Sequence, residues 1–118
     1  MSKYYTTIEQ SKKLLEIGIA PTSADMFFTK YSELPWTNSP NRALNEIEEI
    51  PCWSVGALLE AIYKYGRDRG MFDINLSMQA NGFRCNIAAK RHFYVYVDED
   101  PISAIGLLFF EWYNENKE

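Results

Sequence analysis

The sequence predicts an α+β domain: a three-stranded antiparallel sheet with helices on one of its faces. Three observations predict it. Residues 72–79 alternate apolar and polar side chains, the period of a strand buried on one side. Asn81-Gly82 follows, a pair suited to a type I′ hairpin turn, whose two central positions both need positive φ. On either side of the strand region lie stretches in which apolar residues recur at helical spacing. Helices and strands that segregate along the chain in this way give α+β rather than a parallel sheet.

The first helix is expected over about 7–17. Thr6 and Glu9 have capping-box spacing, Ile8, Leu14, Leu15 and Ile17 form one apolar stripe, and Gly18 suits the C′ position. Pro21 then prevents continuation, and Thr22–Asp25 suits one short turn leading into Met26-Phe27-Phe28. Ser32–Pro40 reads as a loop by its turn residues, with Trp36 exposed in it. Ser39-Pro40 is able to open a short helix, while an extended segment over Glu46–Ile50 fits as well, and both readings stand.

A second helix is expected over about 54–65. Ser54 is the cap, Val55, Leu58, Leu59, Ile62 and Tyr63 are the stripe, and Gly66 is the stop. Strands follow at about 72–79, 83–88 and 93–97. With Asn81-Gly82 as the turn, Met78 pairs with Cys85 and Leu76 with Ile87. Phe93, Val95 and Val97 would join the buried face and leave His92, Tyr94 and Tyr96 outward. The last helix, about 101–114, opens on Asp100 as cap with Pro101 at its first position. Gly56 and Gly106 lie inside helices, which suggests that the second and last helices cross there at close range.

At 118 residues the chain suits a single domain, 1–118, able to bury a core without metal or disulfide. Hydrophobic residues form 47% of it, which argues against disorder. The net charge of −4 disfavours, without excluding, a life on nucleic-acid phosphates. Met1–Lys13 is polar and lacks the apolar centre of a signal peptide, and no run approaches the ~20 apolar residues of a membrane span. Cytoplasmic residence is the expectation, with Cys52 and Cys85 reduced and buried.

Four stretches carry a resemblance: Thr6–Leu15, Ser23–Met26, Ile50-Pro-Cys-Trp-Ser-Val-Gly-Ala-Leu-Leu59, and Asp100–Ile105 leading to Glu111-Trp112-Tyr113. Together they resemble a group of uncharacterised small proteins of gut-bacterial phages, prophages and mobile elements, Ile-Pro-Cys-Trp-Ser being the most specific piece. The resemblance implies a genomic setting and assigns no activity and no site residue.

Residues with the means for chemistry are few. A thiol enzyme needs a base beside its cysteine, and His92, the one histidine, is expected on the sheet face opposite Cys85. Cys52 precedes a helix N-terminus, but Pro51 and Trp53 beside it point to packing. The chain holds too few His and Cys for a zinc set, Glu46/Glu48/Glu49 and Asp98/Glu99/Asp100 read as solvated or capping acids, and its glycines form no phosphate loop. No enzyme activity and no cofactor are expected. Lys90–Val97 mixes basic and aromatic residues, so a nucleic-acid accessory role through Lys90, Arg91, Tyr94 and Tyr96 is the alternative. The leading expectation is binding of another protein. The candidate surface is the outer sheet face, with Asn75, Ser77, Gln79, Arg84, Asn86, Tyr94 and Tyr96, with Trp36 as a second candidate. An ordinary solvated sheet face is the competing account for the sheet, and for Trp36 the competing account is a ring folded back as a lid on the core.

Overall fold

The protein is described from a computed structural model, which covers residues 4–29, 36–37, 49–90 and 92–116. Its fold is α+β. In chain order come α1 (Ile8–Ile17), a 3-10 turn (Pro21–Ser23), β1 (Met26–Thr29), β2 (Trp36–Thr37), β3 (Glu49–Cys52) and α2 (Val55–Gly66). A second 3-10 turn (Arg67–Arg69), β4 (Met71–Gln79), β5 (Gly82–Ala89), β6 (Phe93–Asp98) and α3 (Pro101–Asn116) follow. The chain forms two compact units, one of Tyr5–Ala61 and one of Ile62–Glu118 with the chain start.

The first unit holds a small antiparallel sheet of order β2-β1-β3, with α1 packed on β3. Sequence periodicity did not reveal this sheet, because its strands are short and lie in different parts of the chain. The short turn expected around Thr22–Asp25 is the 3-10 turn Pro21–Ser23, the Met26–Phe28 segment it leads into is strand β1, and Trp36 pairs with Phe27 in β2 rather than standing in a loop. Of the two readings of 46–50, the extended one holds for Glu49–Cys52. The possible helix from Ser39 lies outside the described residues.

At the start of α1 the cap is displaced by one residue from expectation. Thr7, not Thr6, caps the helix: its hydroxyl accepts from Gln10 N–H at 3.1 Å, and Gln10 Oε1 accepts from Thr7 N–H at 2.8 Å. Thr6 is buried instead, and it ties the segment before α1 to the one before α2. Its N–H donates to the Trp53 carbonyl at 2.9 Å, its Oγ1 accepts from Trp53 N–H at 3.0 Å, and the Thr6 and Ser11 hydroxyls lie 2.8 Å apart. The Cys52 thiol donates to the Thr6 carbonyl at 3.3 Å. Trp53 is fully buried and donates its indole N–H to Ser23 Oγ at 3.0 Å. Asp25 accepts from both the backbone N–H and the hydroxyl of Ser54, the residue before α2. Buried polar groups need such partners, since leaving one unpaired costs roughly 1–3 kcal/mol.

The second unit is the hairpin β4-β5 extended by β6, with α3 packed on β5 and β6. Leu76 pairs with Cys85 and Ile74 with Ile87, two residues from the expected register. The slip is by an even number, so β5 and the Asp73–Gln79 part of β4 keep their faces, whereas the register shift between Met71 and Asp73 buries Met71 and leaves Phe72, expected on the inner face, exposed. The shift originates in the turn. Ala80 and Asn81 form the loop between the paired Gln79 and Gly82, and neither has positive φ; Gly82 alone does, at 139°. α3 opens as its sequence indicates: Ile102 N–H donates to Asp100 Oδ1 at 2.9 Å, and Pro101 takes the first helical position. Its core face carries Ile102, Ile105, Leu108, Phe109 and Trp112, with the Phe109 and Trp112 rings stacked at 5.9 Å.

The helix glycines do not mark close approaches. A Cβ at Gly56 or at Gly106 would meet nothing within 4 Å, so neither helix needs glycine for contact with a neighbour. Gly66 is the tight one, its Cβ position being filled by the Met71 side chain. With no contact to offset glycine's backbone entropy, Gly56→Ala and Gly106→Ala should each raise stability by roughly 0.5–1 kcal/mol. Urea unfolding of the two variants checks this; a loss of stability in either would place a neighbour where the structure has open space.

Candidate binding face

The outer face of the second unit's sheet is built by alternation along three strands. β4 contributes Asp73, Asn75 and Ser77, β5 contributes Arg84, Asn86 and Ala88, and β6 contributes Phe93, Val95 and Val97. The polar members form a connected row: Arg84 Nε donates to Asn86 Oδ1 at 3.2 Å, Asn86 Nδ2 to Asn75 Oδ1 at 2.9 Å, and Asn75 Nδ2 to Asp73 Oδ2 at 3.4 Å. Ser77 donates to the Arg84 carbonyl at 3.5 Å. Gln79 is exposed at the hairpin end. The structure thus brings Asn75, Ser77, Arg84 and Asn86 together as expected.

Tyr94 and Tyr96 are not on this face. β6 pairs Cys85 with Tyr96 and Ile87 with Tyr94, which turns both tyrosines toward α3. Tyr94 is buried, and its hydroxyl accepts from Asn116 Nδ2 at 3.4 Å. In their place stand Phe93, 80% exposed, Val95, 45%, and Val97, 41%. The expectation assumed that the more apolar residues of an alternating strand face the core. Here the Tyr94 ring fills it while its hydroxyl meets Asn116, an arrangement open to any Tyr. Nothing in β6 alone could decide between the two phases; only its pairing with β5 does. Trp36 lies in the other unit's sheet, and its side chain is outside the described residues.

Both cysteines are buried free thiols. Burial pushes Cys85 up to about 12, and it pushes Cys52 up to about 11 against hydrogen bonds with Thr6 that act in the opposite direction. A thiol so placed stays protonated near neutrality and is a poor nucleophile or metal ligand. The expected separation of Cys85 and His92 by the sheet fails, since His92 precedes β6 in phase with Tyr94 and meets that ring edge-on at 6.1 Å. Desolvation of Cys85, rather than the opposite-face geometry, is what silences its thiol.

A concavity of about 360 Å³ opens in the same unit, lined by Arg69, Lys90, His92, Tyr94, Glu115 and Asn116 among others. Arg69 is held at its rim by a 2.6 Å hydrogen bond to the Tyr65 carbonyl, with the guanidinium 3.9 Å above the Tyr65 ring. Among the described residues its lining is polar and contains neither cysteine nor serine. Among the described residues, no group of three or more His, Cys, Asp or Glu is placed to hold a metal ion. No helix among them is long and apolar enough to cross a membrane.

Three of the four stretches Thr6–Leu15, Ser23–Met26, Ile50–Leu59 and Asp100–Tyr113 meet in the first unit's hydrogen-bond network: Thr6 and Ser11, Ser23 and Asp25, and Cys52, Trp53 and Ser54. Ile-Pro-Cys-Trp-Ser is therefore a folding element, and the candidate face is built from other residues. No family model, no curated protein and no solved structure matches the chain.

Proposed function

We propose that the chain is a non-enzymatic accessory protein of a phage or mobile element, acting in the host cytoplasm by binding another protein through the outer face of β4-β5-β6. The observation that supports this is the exposed apolar row Phe93, Val95 and Val97 lying beside the amide and guanidinium row of Asn75, Asn86 and Arg84. An aromatic anchor and aliphatic neighbours flanked by directional polar groups is the composition of a protein-recognition surface. The nucleic-acid alternative depended on Tyr94 and Tyr96 offering rings to bases. With both rings turned to α3 it enters only as an outcome of the same experiment.

The test is affinity capture from host lysate, with and without nuclease, comparing wild type with the Phe93→Ser/Val97→Ser pair. These side chains are exposed, so the fold should survive with a stability change within about 1 kcal/mol. Partner recovery should drop at least tenfold, equivalent to about 1.4 kcal/mol. Undiminished capture by the folded double variant would overturn the assignment of the face. Capture that disappears on nuclease treatment would replace the protein partner with nucleic acid.

A further inference from the structure

The second unit's sheet ends in two edges that differ in kind. β4 is interrupted by a register shift between Met71 and Asp73 and carries Asp73, Asn75 and Ser77 along its outer side. Bulges and polar side chains are what keep an edge from accepting another strand. β6, Phe93–Asp98, has no bulge, and its one charged residue, Asp98, stands at its end. It pairs with β5 without a register shift, contains no proline and no basic residue, and alternates aromatic with β-branched residues through Val97.

The backbone of β6 is oriented by its start. Ala89 N–H donates to the His92 carbonyl at 3.0 Å, so His92 turns its backbone toward β5. Antiparallel pairing alternates from there. His92, Tyr94, Tyr96 and Asp98 address β5, and Phe93, Val95 and Val97 present their N–H and C=O groups away from the sheet.

From this we infer that β6 pairs with β6 of a second copy of the chain, antiparallel and about a two-fold axis at Val95. The strand is its own complement in that register. Val95 faces Val95 of the other copy, Phe93 faces Val97, and Tyr94 faces Tyr96, so each side chain meets one of its own kind on its own face of the sheet. The backbone groups of Phe93, Val95 and Val97 satisfy those of Val97, Val95 and Phe93. One step beyond, His92 stands opposite Asp98, an imidazole against a carboxylate at each end of the paired strands. No other charged side chain lies between these ends, so like charges do not oppose each other in this register. A two-fold contact of this type closes on itself and gives a dimer rather than a fibre. Both sheets then continue as β4-β5-β6-β6-β5-β4 with the two outer faces side by side. The inference rests on the strand's backbone edge rather than on the outer-face proposal, although Phe93, Val95 and Val97 enter both.

Sedimentation velocity and light scattering on the whole chain, over about 1–100 µM where micromolar association is read, test it. The wild type should shift from monomer to dimer across this range. Val95→Pro removes the outward N–H at the axis, a position where an edge strand tolerates proline, and should remain monomeric with a wild-type circular dichroism spectrum. Val95→Lys keeps the backbone but sets two ammonium groups against each other at the axis, and should also be monomeric; it decides the matter if the proline variant does not fold. His92→Asp, which opposes two carboxylates at each end, should weaken dimerisation about tenfold and fixes the register. A wild type that stays monomeric throughout overturns the inference, as does a dimer that a folded Val95→Lys variant retains. Dimerisation weakened in His92→Asp, a position outside the outer-face row, while partner capture persists supports it and leaves the outer-face reading standing by itself.

Discussion

Replacing Trp53 by Ala should cost about 3–5 kcal/mol, the range for deleting a fully buried large aromatic side chain. Trp53 has no exposed surface. Its backbone is gripped on both sides by Thr6, and its indole N–H by Ser23. Truncation opens a cavity and leaves Ser23 without its donor in the same step. Trp53→Phe separates the two effects, because it keeps most of the apolar volume and removes only the N–H. It should cost roughly 1–2 kcal/mol, near the value of a single buried hydrogen bond with some lost packing. Urea unfolding measures both. A Trp53→Ala variant that loses less than about 1 kcal/mol would mean that the Thr6–Trp53–Ser23 connections are incidental to the first unit.

That expectation gives physical content to the Ile-Pro-Cys-Trp-Ser segment. Thr6, Ser23, Asp25, Trp53 and Ser54 are far apart in the chain and close in space, bonded to one another. In the sequence of Ile-Pro-Cys-Trp-Ser, Pro51 and Trp53 already point to packing around Cys52. In the fold its cysteine is desolvated, its tryptophan fills the core and its serine is held by Asp25. Residues with this much structural employment are poorly free to turn over a substrate or to meet a partner.

The elements legible in the sequence are those whose signals are local. α3 announces its start through Asp100-Pro101, and the helix begins there with the Asp100 carboxylate capping Ile102. The β4 and β5 faces follow from strict alternation, and Asn75, Ser77, Arg84 and Asn86 stand together for that reason. What was not legible depends on partners distant in the chain. β1 is a strand because β3 pairs with it twenty or more residues on, from Met26↔Cys52 to Thr29↔Glu49. Thr6 loses the capping role to Thr7 because its hydroxyl is taken by Trp53 N–H. β6 was placed with the wrong face inward because a strand of Phe, Val and Tyr is apolar on both sides, and only cross-strand register chooses between them. That one inversion moved two tyrosines out of the candidate site and three apolar residues into it.

Gly82→Ala should be the most damaging change in the second unit relative to its size, at about 2–4 kcal/mol for one added methyl group. At φ 139° an L-residue is strained on its own account. The added Cβ would also land on the Asp98 carbonyl oxygen, with the Asp98 carbonyl carbon at 3.0 Å and Glu99 Cα at 3.2 Å behind it. All three atoms are backbone, so no side-chain rotation relieves the clash. The displaced segment runs directly into α3, since Asp98 Oδ1 accepts from Asp100 N–H and Asp100 caps the helix. Asn81→Ala is the informative control. A type I′ turn on Asn81-Gly82 would place Asn81 at positive φ and make that substitution costly, whereas here Asn81 has negative φ and the change should stay within about 0.5 kcal/mol. Unfolding curves for the pair therefore choose between the two turns. A large loss at Gly82 alone identifies the glycine as the point where the β4-β5 hairpin is pressed against the end of β6. Comparable losses at both positions would restore the type I′ turn and, with it, the register that pairs Met78 with Cys85.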